Sequence, residues 1–205
     1  DVPRTARDRR CRVWIPMTTG PTQLRVLYPG SFDPIHLGHV DIIEQAHELF
    51  GSIVVAVMHN LAKPSGLFPV DERVELARAA LAHLDGVTVV AQTGLAVQAA
   101  SRADVDFIVK GLRTPGDFEI EQQMAHNNHA VTGIRTVYLP CRPEFGYISS
   151  RFVREIAKYG GSIDHLVPAP IADALRRTFD GDQNCANHEP RRPHRRPVRR
   201  LRRHR

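Results

Sequence analysis

The segment that decides the fold reads Tyr28-Pro29-Gly30-Ser31-Phe32-Asp33-Pro34-Ile35-His36-Leu37-Gly38-His39. It joins an apolar run to a helical pattern, so it predicts a strand-to-helix turn. Such a turn directs free backbone N–H groups and the positive end of the helix toward one point, which favours an anion. Gly30 and Gly38 allow the backbone to approach a phosphate closely. His36 and His39 share one side of the first helical turn and could donate hydrogen bonds to a triphosphate, or could instead cap or pack the helix.

Outward from this segment, β-branched runs alternate with helical patterns. Most of the runs are continuously apolar, as in strands that are covered on both faces. The predicted strands span 25–28, 52–58, 87–91, 106–110 and 135–139, and the predicted helices span 38–50, 71–84, 94–103, 117–131, 149–159 and about 171–179. The alternation indicates an α/β fold with a doubly wound, five-stranded parallel sheet of Rossmann-like type.

Charge is distributed unevenly over the 205 residues, which carry a net charge of +6. Residues 1–12 carry +3 and residues 191–205 carry +9, which leaves −6 for residues 13–190. We therefore expect a basic, disordered extension over 1–23, one domain over 24–179 and an Arg-rich, disordered tail over 180–205. The tail could bind RNA or a membrane surface, but the sequence favours an extension without a dedicated role, and so no nucleic-acid partner.

The cysteines and the apolar runs indicate a cytoplasmic protein. Cys11, Cys141 and Cys185 are odd in number and widely spaced, so they predict neither a disulfide framework nor a protein-bound metal. The longest apolar run, 53–58, is too short to span a bilayer. The basic start has no apolar segment behind it, so we expect no secretory signal.

The motif over residues 30–39 resembles G-[ST]-F-D-P-x-[TH]-x-G-H, the signature of the nucleotidyltransferase superfamily. The similarity to the phosphopantetheine adenylyltransferase family extends over about residues 24–179. The resemblance implies a nucleotidyltransferase fold, ATP and 4′-phosphopantetheine as substrates, Mg²⁺ as cofactor and a homohexamer. It also implies that Ser31 contacts both substrates, Phe32 contacts the nucleotide through its backbone, and His39 stabilises the ATP phosphates in the transition state. His36, at a position that is often Thr in the family, would have a supporting role.

Segments after the later strands resemble further family motifs. By this resemblance, Lys63 would grip the acceptor phosphate and the reacting α-phosphate, and Ala96 would bind the pantetheine arm through its backbone. In Ile-Val-Lys-Gly-Leu-Arg over 108–113, Lys110 would bind the acceptor and Arg113 the ATP phosphates. Glu121 would lie near the ATP ribose.

The full set of implied ligand residues is larger. The resemblance implies ATP-binding roles for Ser31, Phe32, His39, Gly111, Leu112, Arg113, Glu121, Phe145, Gly146, Tyr147, Ile148, Ser149, Ser150 and Arg151, and acceptor-binding roles for Ser31, Lys63, Ala96 and Lys110. The sequence departs from the family at Ile120, where Tyr is common, and at Arg151, which replaces a third Ser.

Independently of any family, the candidate segments all follow predicted strands. Open α/β sheets bind ligands at the carboxyl ends of their strands, so these segments are expected to form one pocket. The predicted chemistry is in-line attack on the ATP α-phosphate without a covalent enzyme intermediate. A sister adenylyl- or cytidylyltransferase with another phosphorylated acceptor stays open, as does, more remotely, a non-catalytic nucleic-acid binder that uses the tail.

Overall fold

Five parallel strands covered by six α-helices form the fold in residues 24–59 and 66–186, the part of the chain that the computed structural model describes. The strands are β1 (Leu24–Gly30), β2 (Gly51–His59), β3 (Val87–Thr93), β4 (Phe107–Leu112) and β5 (Arg135–Pro140). The helices are α1 (Leu37–Phe50), α2 (Val70–Ala80), α3 (Ala96–Ala103), α4 (Pro115–Thr132), α5 (Ser150–Lys158) and α6 (Ala169–Ala186). None of these helices is long and apolar enough to cross a membrane. The predicted α/β fold with a five-stranded parallel sheet is confirmed.

The strand order is β3-β2-β1-β4-β5, and every neighbouring pair is parallel. The chain builds one half of the sheet outward from β1 to β3 and then crosses to the other side of β1 to build β4 and β5. The order therefore reverses between β1 and β4. In open α/β sheets this switch point, at the carboxyl ends of the strands, is where ligands bind.

The apolar strands are covered on both faces, as their sequences predict. Residues 53–57 of β2 are each at most 2% exposed. Because neighbouring residues of a strand point to opposite faces, Val55 joins the larger core cluster, which includes residues of α1, α2, α5 and α6, whereas Val54 joins a smaller cluster with α3. Burial on both sides explains why the strands read as continuous apolar runs.

The ends of two helices differ from the predicted ones by more than two residues. α2 ends at Ala80 rather than near residue 84, because the chain turns at Leu81, which nevertheless stays buried at 3% exposure. The apolar pattern thus continues past the helix end and mimics a longer helix. α6 runs on to Ala186, past the expected domain end at 179. The predicted extension 1–23 and the tail beyond residue 186 lie outside the described residues.

Candidate active site

The turn after β1 is held in an unusual backbone conformation. Phe32 has a φ of 45°, in the left-handed region, although it is not glycine. Its ring is 1% exposed and lies over Gly30, where a Cβ atom would come within 2.8 Å of the ring. A side chain at position 30 would therefore displace Phe32. A left-handed conformation at a bulky residue costs on the order of 1–2 kcal/mol and persists only where neighbouring structure holds it.

Two stacked imidazoles follow at the start of α1. The rings of His36 and His39 are 3.6 Å apart between centroids and inclined by 23°, and the Phe32 ring meets His39 edge-on at 5.1 Å. The backbone N–H of His36 donates to Nδ1 of His39 over 3.2 Å. A neutral His39 must then carry its proton on Nε2, because Nδ1 serves as an acceptor. The turn thus fixes both the orientation and the tautomer of His39.

Both imidazoles are held in the neutral form. Burial and the Arg113 guanidinium lower the pKa of His36 to about 3. Burial, the adjacent His36 and Arg113 lower the pKa of His39 well below its usual value. Desolvation disfavours the imidazolium, and a nearby cation disfavours it further. At neutral pH, His39 therefore offers a fixed N–H donor rather than a positive charge.

Cationic side chains stand at the carboxyl end of β4. Lys110 Nζ lies 3.1–3.2 Å from the two carboxylate oxygens of Glu121 on α4, and both side chains are partly exposed, at 16% and 24%. Arg113 Nη1 donates to the Ile148 carbonyl over 3.0 Å, and its Nε lies 3.4 Å from the Asp117 carboxylate. Because each cation is anchored, their charges are oriented before any ligand arrives.

Gly111 brings β4 close to α1. A Cβ atom at this position would come within 2.7 Å of Ile42 on α1 and within 3.5 Å of the Tyr28 hydroxyl. A side chain here would separate the strand from the helix that carries His39. The glycine between Lys110 and Arg113 thus sets the distance between the two halves of the site.

These elements enclose one cavity of about 230 Å³ at the predicted switch point. Its lining residues are Tyr28, Pro29, Gly30, Ser31, Phe32, His36, Gly38, His39, Ile42, Lys110, Gly111, Arg113 and Glu121. The structure therefore brings together seven of the predicted site residues, namely Ser31, Phe32, His39, Lys110, Gly111, Arg113 and Glu121. A cavity with two cations, one neutral imidazole donor and backbone from two strand ends is chemically suited to a polyphosphate.

The other predicted site residues are placed differently. Lys63 lies outside the described residues. Ala96 opens α3 beyond the carboxyl end of β3 and does not line the cavity. Leu112, like the segment 145–151, is also absent from the cavity lining. Their predicted contacts with substrates stay predictions.

The segment 145–151 nevertheless packs against the motif turn. Ser149 caps α5 by accepting from the Phe152 N–H, and the Ser150 hydroxyl donates to the Pro34 carbonyl over 2.9 Å. Ile148 supplies the carbonyl that holds Arg113. Tyr147 is 64% exposed. The segment thus supports the site from outside the cavity.

Sequence reasoning missed a buried carboxylate that braces the site. Asp41 on α1 is 1% exposed and accepts from the Arg142 backbone N–H over 2.9 Å and from the Gln45 amide over 3.0 Å. These bonds tie α1 to the chain after β5. The sequence does contain a signal for this role, because Asp41 is a charged residue on the apolar face of α1, between Val40 and Ile42.

Comparison with known proteins gives the class first. The cytidylyltransferase-like family matches residues 27–156. The parallel sheet and the cavity beside the stacked histidines are thus the fold and candidate site of a cytidylyltransferase-like nucleotidyltransferase.

Individual relatives give the particular family. A protein named phosphopantetheine adenylyltransferase from Synechococcus sp. (strain CC9311) is 44% identical over 158 residues, which cover 77% of this chain and 98% of the relative. Proteins of the same name from Prochlorococcus marinus strains MIT 9313 and MED4 are 44% and 39% identical, and each is covered over 100% of its length. The chain therefore belongs to the phosphopantetheine adenylyltransferase family.

Proposed function

We propose that the chain transfers AMP from ATP to 4′-phosphopantetheine, giving dephospho-coenzyme A and pyrophosphate in coenzyme A biosynthesis. The observation that carries this proposal is the convergence of His39, Lys110 and Arg113 on one cavity at the switch point of the sheet. Family membership over nearly the full length of the relatives supports the same reaction.

The reaction is an in-line displacement. A phosphate oxygen of the acceptor attacks the α-phosphorus of ATP, and the bond from that phosphorus to the oxygen bridging the α- and β-phosphates breaks. Pyrophosphate leaves with the bonding electrons. Such a transfer needs positioning and charge stabilisation from the protein rather than a covalent intermediate.

His39 serves as a neutral hydrogen-bond donor in this proposal. Its Nδ1 is occupied by the His36 N–H, so Nε2–H is left to meet a non-bridging oxygen on the α-phosphorus. Negative charge grows there in the transition state, and a donor that is already oriented stabilises it without reorganisation. The low pKa of His39 means that it does not act as a proton donor to the leaving group at neutral pH.

We assign the cationic side chains of the site to different substrates. We assign Arg113, which is fixed by Ile148 and Asp117, to the ATP phosphates. We assign Lys110, together with Lys63, to the phosphate of the acceptor. The Lys110–Glu121 ion pair keeps Lys110 at the cavity wall before the acceptor binds.

Mg²⁺ would be carried by the nucleotide. Glu121, the carboxylate of the cavity lining, is already paired with Lys110, and the described residues contain no group of three His, Cys, Asp or Glu side chains that could hold a metal ion. Phosphate oxygens and water are donors that suit this ion. When bound, Mg²⁺ would neutralise charge on the transferring phosphates.

A homohexamer is the proposed assembly, and α4 supports self-association. None of its 18 residues is buried by the described part of the chain. Ile120, Met124 and Val131 lie on one face of the helix and are 67%, 41% and 76% exposed. Large apolar side chains grouped on a surface indicate a contact with another protein surface, here a second copy of the chain. We place this assembly in the cytoplasm.

The test is a panel of acceptors. The purified chain is mixed with ATP, Mg²⁺ and one phosphorylated acceptor at a time, including 4′-phosphopantetheine and nicotinate mononucleotide, and pyrophosphate release is measured. We expect release only with 4′-phosphopantetheine. Release with a different acceptor alone would instead identify a sister transferase.

The nucleic-acid binder requires a separate experiment. Removing residues 187–205 spares α6, which ends at Ala186. The shortened enzyme should keep its pyrophosphate release. If the chain were an RNA binder, the same deletion would remove its affinity for RNA and the steep dependence of that affinity on salt.

A further inference from the structure

We propose that Asp33 and Arg73 form a pair of positioning residues that hold the left-handed turn at Phe32 and thereby set the position of His39. The inference rests on the proposed function only for its effect on turnover. Neither residue lines the cavity. Both are nevertheless buried charged side chains, at 8% and 5% exposure.

Arg73 holds the turn from the side preceding Phe32. It lies on α2, and its Nη1 donates to the Ser31 carbonyl over 2.7 Å and reaches the Met58 carbonyl near the end of β2 at 3.5 Å. One guanidinium thus ties the turn after β1 to the end of the neighbouring strand. Within residues 24–59 and 66–186, Arg73 has no carboxylate partner, so its bonds to the backbone carbonyls of the turn and of β2 account for its burial.

Asp33 holds the turn from the side that follows Phe32. One carboxylate oxygen accepts from the Leu67 N–H over 2.8 Å, and the other accepts from the Phe68 N–H over 3.0 Å. Arg154 on α5 donates to the Asp33 carbonyl, and its Nη1 lies 3.7 Å from the carboxylate. The carboxylate is thus fixed by two backbone donors and a cation, which is the arrangement that a buried charge requires.

Gly66 shows how closely this carboxylate is enclosed. A Cβ atom at position 66 would lie 2.1 Å from one Asp33 oxygen. That oxygen is already fixed by the Leu67 N–H, so it cannot move aside without breaking its hydrogen bond. The chain therefore needs glycine here for Leu67 and Phe68 to reach the carboxylate.

The two contacts act on one strained residue. Ser31 and Asp33 flank Phe32, whose left-handed φ persists only if its neighbours hold it. The Phe32 ring in turn meets the His39 ring edge-on at 5.1 Å. Arg73 on α2 therefore influences the position of His39 through the turn at Phe32. Loosening either contact should move His39 without removing any group that touches substrate.

The experiment compares Arg73→Met, Arg73→Lys and Asp33→Asn with the control Arg78→Met. Methionine keeps the apolar stem of Arg73 and removes its donors, whereas lysine keeps a positive charge and can still donate. Arg78 lies on the same helix and bonds to the Val89 carbonyl, away from the cavity. Asp33→Asn keeps the shape of the side chain but can accept from only one of the two N–H groups through its carbonyl oxygen.

Turnover is the first measurement. In folded Arg73→Met and Asp33→Asn, kcat should fall about 10- to 100-fold, as displacement of a reacting group by about 1 Å can produce, while ATP affinity stays near the wild-type value. Arg73→Lys should recover part of the loss, and Arg78→Met should match the wild type. Unchanged kcat in both Arg73→Met and Asp33→Asn would overturn the proposal.

Backbone hydrogen exchange is the second measurement, and it does not depend on activity. Arg73→Met should speed exchange at the Leu67 and Phe68 amides, which bond to Asp33 and not to Arg73, because the two contacts share the Phe32 turn. Equal exchange at these amides in Arg73→Met and Arg78→Met would overturn the coupling. If the wild type released no pyrophosphate while exchange showed the coupling, the proposed function would fail and the positioning role would stand.

Discussion

At the scale of single residues, the site depends on side chains that are restricted to few conformations and hydrogen-bonding arrangements. His39 is confined by the His36 ring on one side and the Phe32 ring on another, and its Nδ1 is already an acceptor. The one hydrogen-bonding group of the ring that is left is the Nε2–H. This arrangement is what a preorganised transition-state donor requires.

The first prediction concerns this donor. His39→Ala should reduce kcat by about 10²–10³-fold, the usual cost of removing one such donor, while ATP affinity falls much less. His39→Gln should keep more activity than His39→Ala, because its amide can donate near the position of Nε2. The measurement is steady-state kinetics alongside ATP titration, with His47→Ala on the same helix as the control. An essentially unchanged kcat in His39→Ala would refute the role.

The second prediction concerns acid stability. In the unfolded chain both histidines titrate near pH 6.5, whereas in the folded chain the pKa of His36 is about 3. Between these values the unfolded state binds more protons, so the free energy of unfolding falls as pH decreases, by up to about 1.4 kcal/mol per pH unit for each such histidine. Above pH about 7 this loss vanishes.

Denaturant unfolding between pH 7 and 4 measures this slope. His36→Thr should flatten it relative to the wild type. A slope in His36→Thr as steep as in the wild type would show that the buried imidazole does not resist protonation.

At the scale of elements, the position of each segment along a strand determines its place in the site. The motif after β1 and the Lys110–Arg113 segment at the end of β4 meet because parallel strands end at one edge. The sequence was sufficient for this part: continuous apolar runs predicted the strands, and polar residues after them predicted the edge.

Other features of the elements could not be predicted from the sequence. The roles of Asp41 and Arg73 depend on backbone partners 15 to 101 positions away, and no local pattern encodes such contacts. The end of α2 could not be predicted either, because the buried Leu81 continues the helical apolar pattern beyond the last helical residue.

The third prediction concerns the contact between β4 and α1. Gly111→Ala places a methyl group 2.7 Å from Ile42, so it should destabilise the fold by about 1–3 kcal/mol, the usual cost of overpacking. Gly116→Ala is the matched control, because its nearest neighbour would be 3.9 Å away and alanine favours the first turn of α4. Chemical denaturation of both variants gives the comparison. Equal stability of the two variants would show that β4 and α1 can accommodate the added methyl group at no cost in stability.

At the scale of the whole molecule, α4 presents an apolar face that the described part of the chain does not cover. The described residues bury no residue of this helix, although Phe118 packs edge-on against Tyr138 at 5.6 Å. The same helix carries Glu121 into the cavity. Association through α4 would therefore fix the helix that positions Lys110.

The fourth prediction follows from this face. Ile120→Lys should shift the proposed hexamer to smaller species in sedimentation velocity, because it buries a charge in the contact. Leu49→Lys on α1 alters a side chain of similar exposure, 64% against 67%, and should leave the assembly intact. A hexamer that survives Ile120→Lys would exclude this face as the contact.

The most direct test of the central claim is a crystal structure of the chain with Mg²⁺ and an ATP analogue whose α,β-bridging oxygen is replaced by methylene. We expect the triphosphate to occupy the cavity between β1 and β4, with an α-phosphate oxygen about 3 Å from His39 Nε2 and the terminal phosphates at Arg113. An analogue bound elsewhere on the chain, or bound with His39 turned away from the phosphates, would contradict the account.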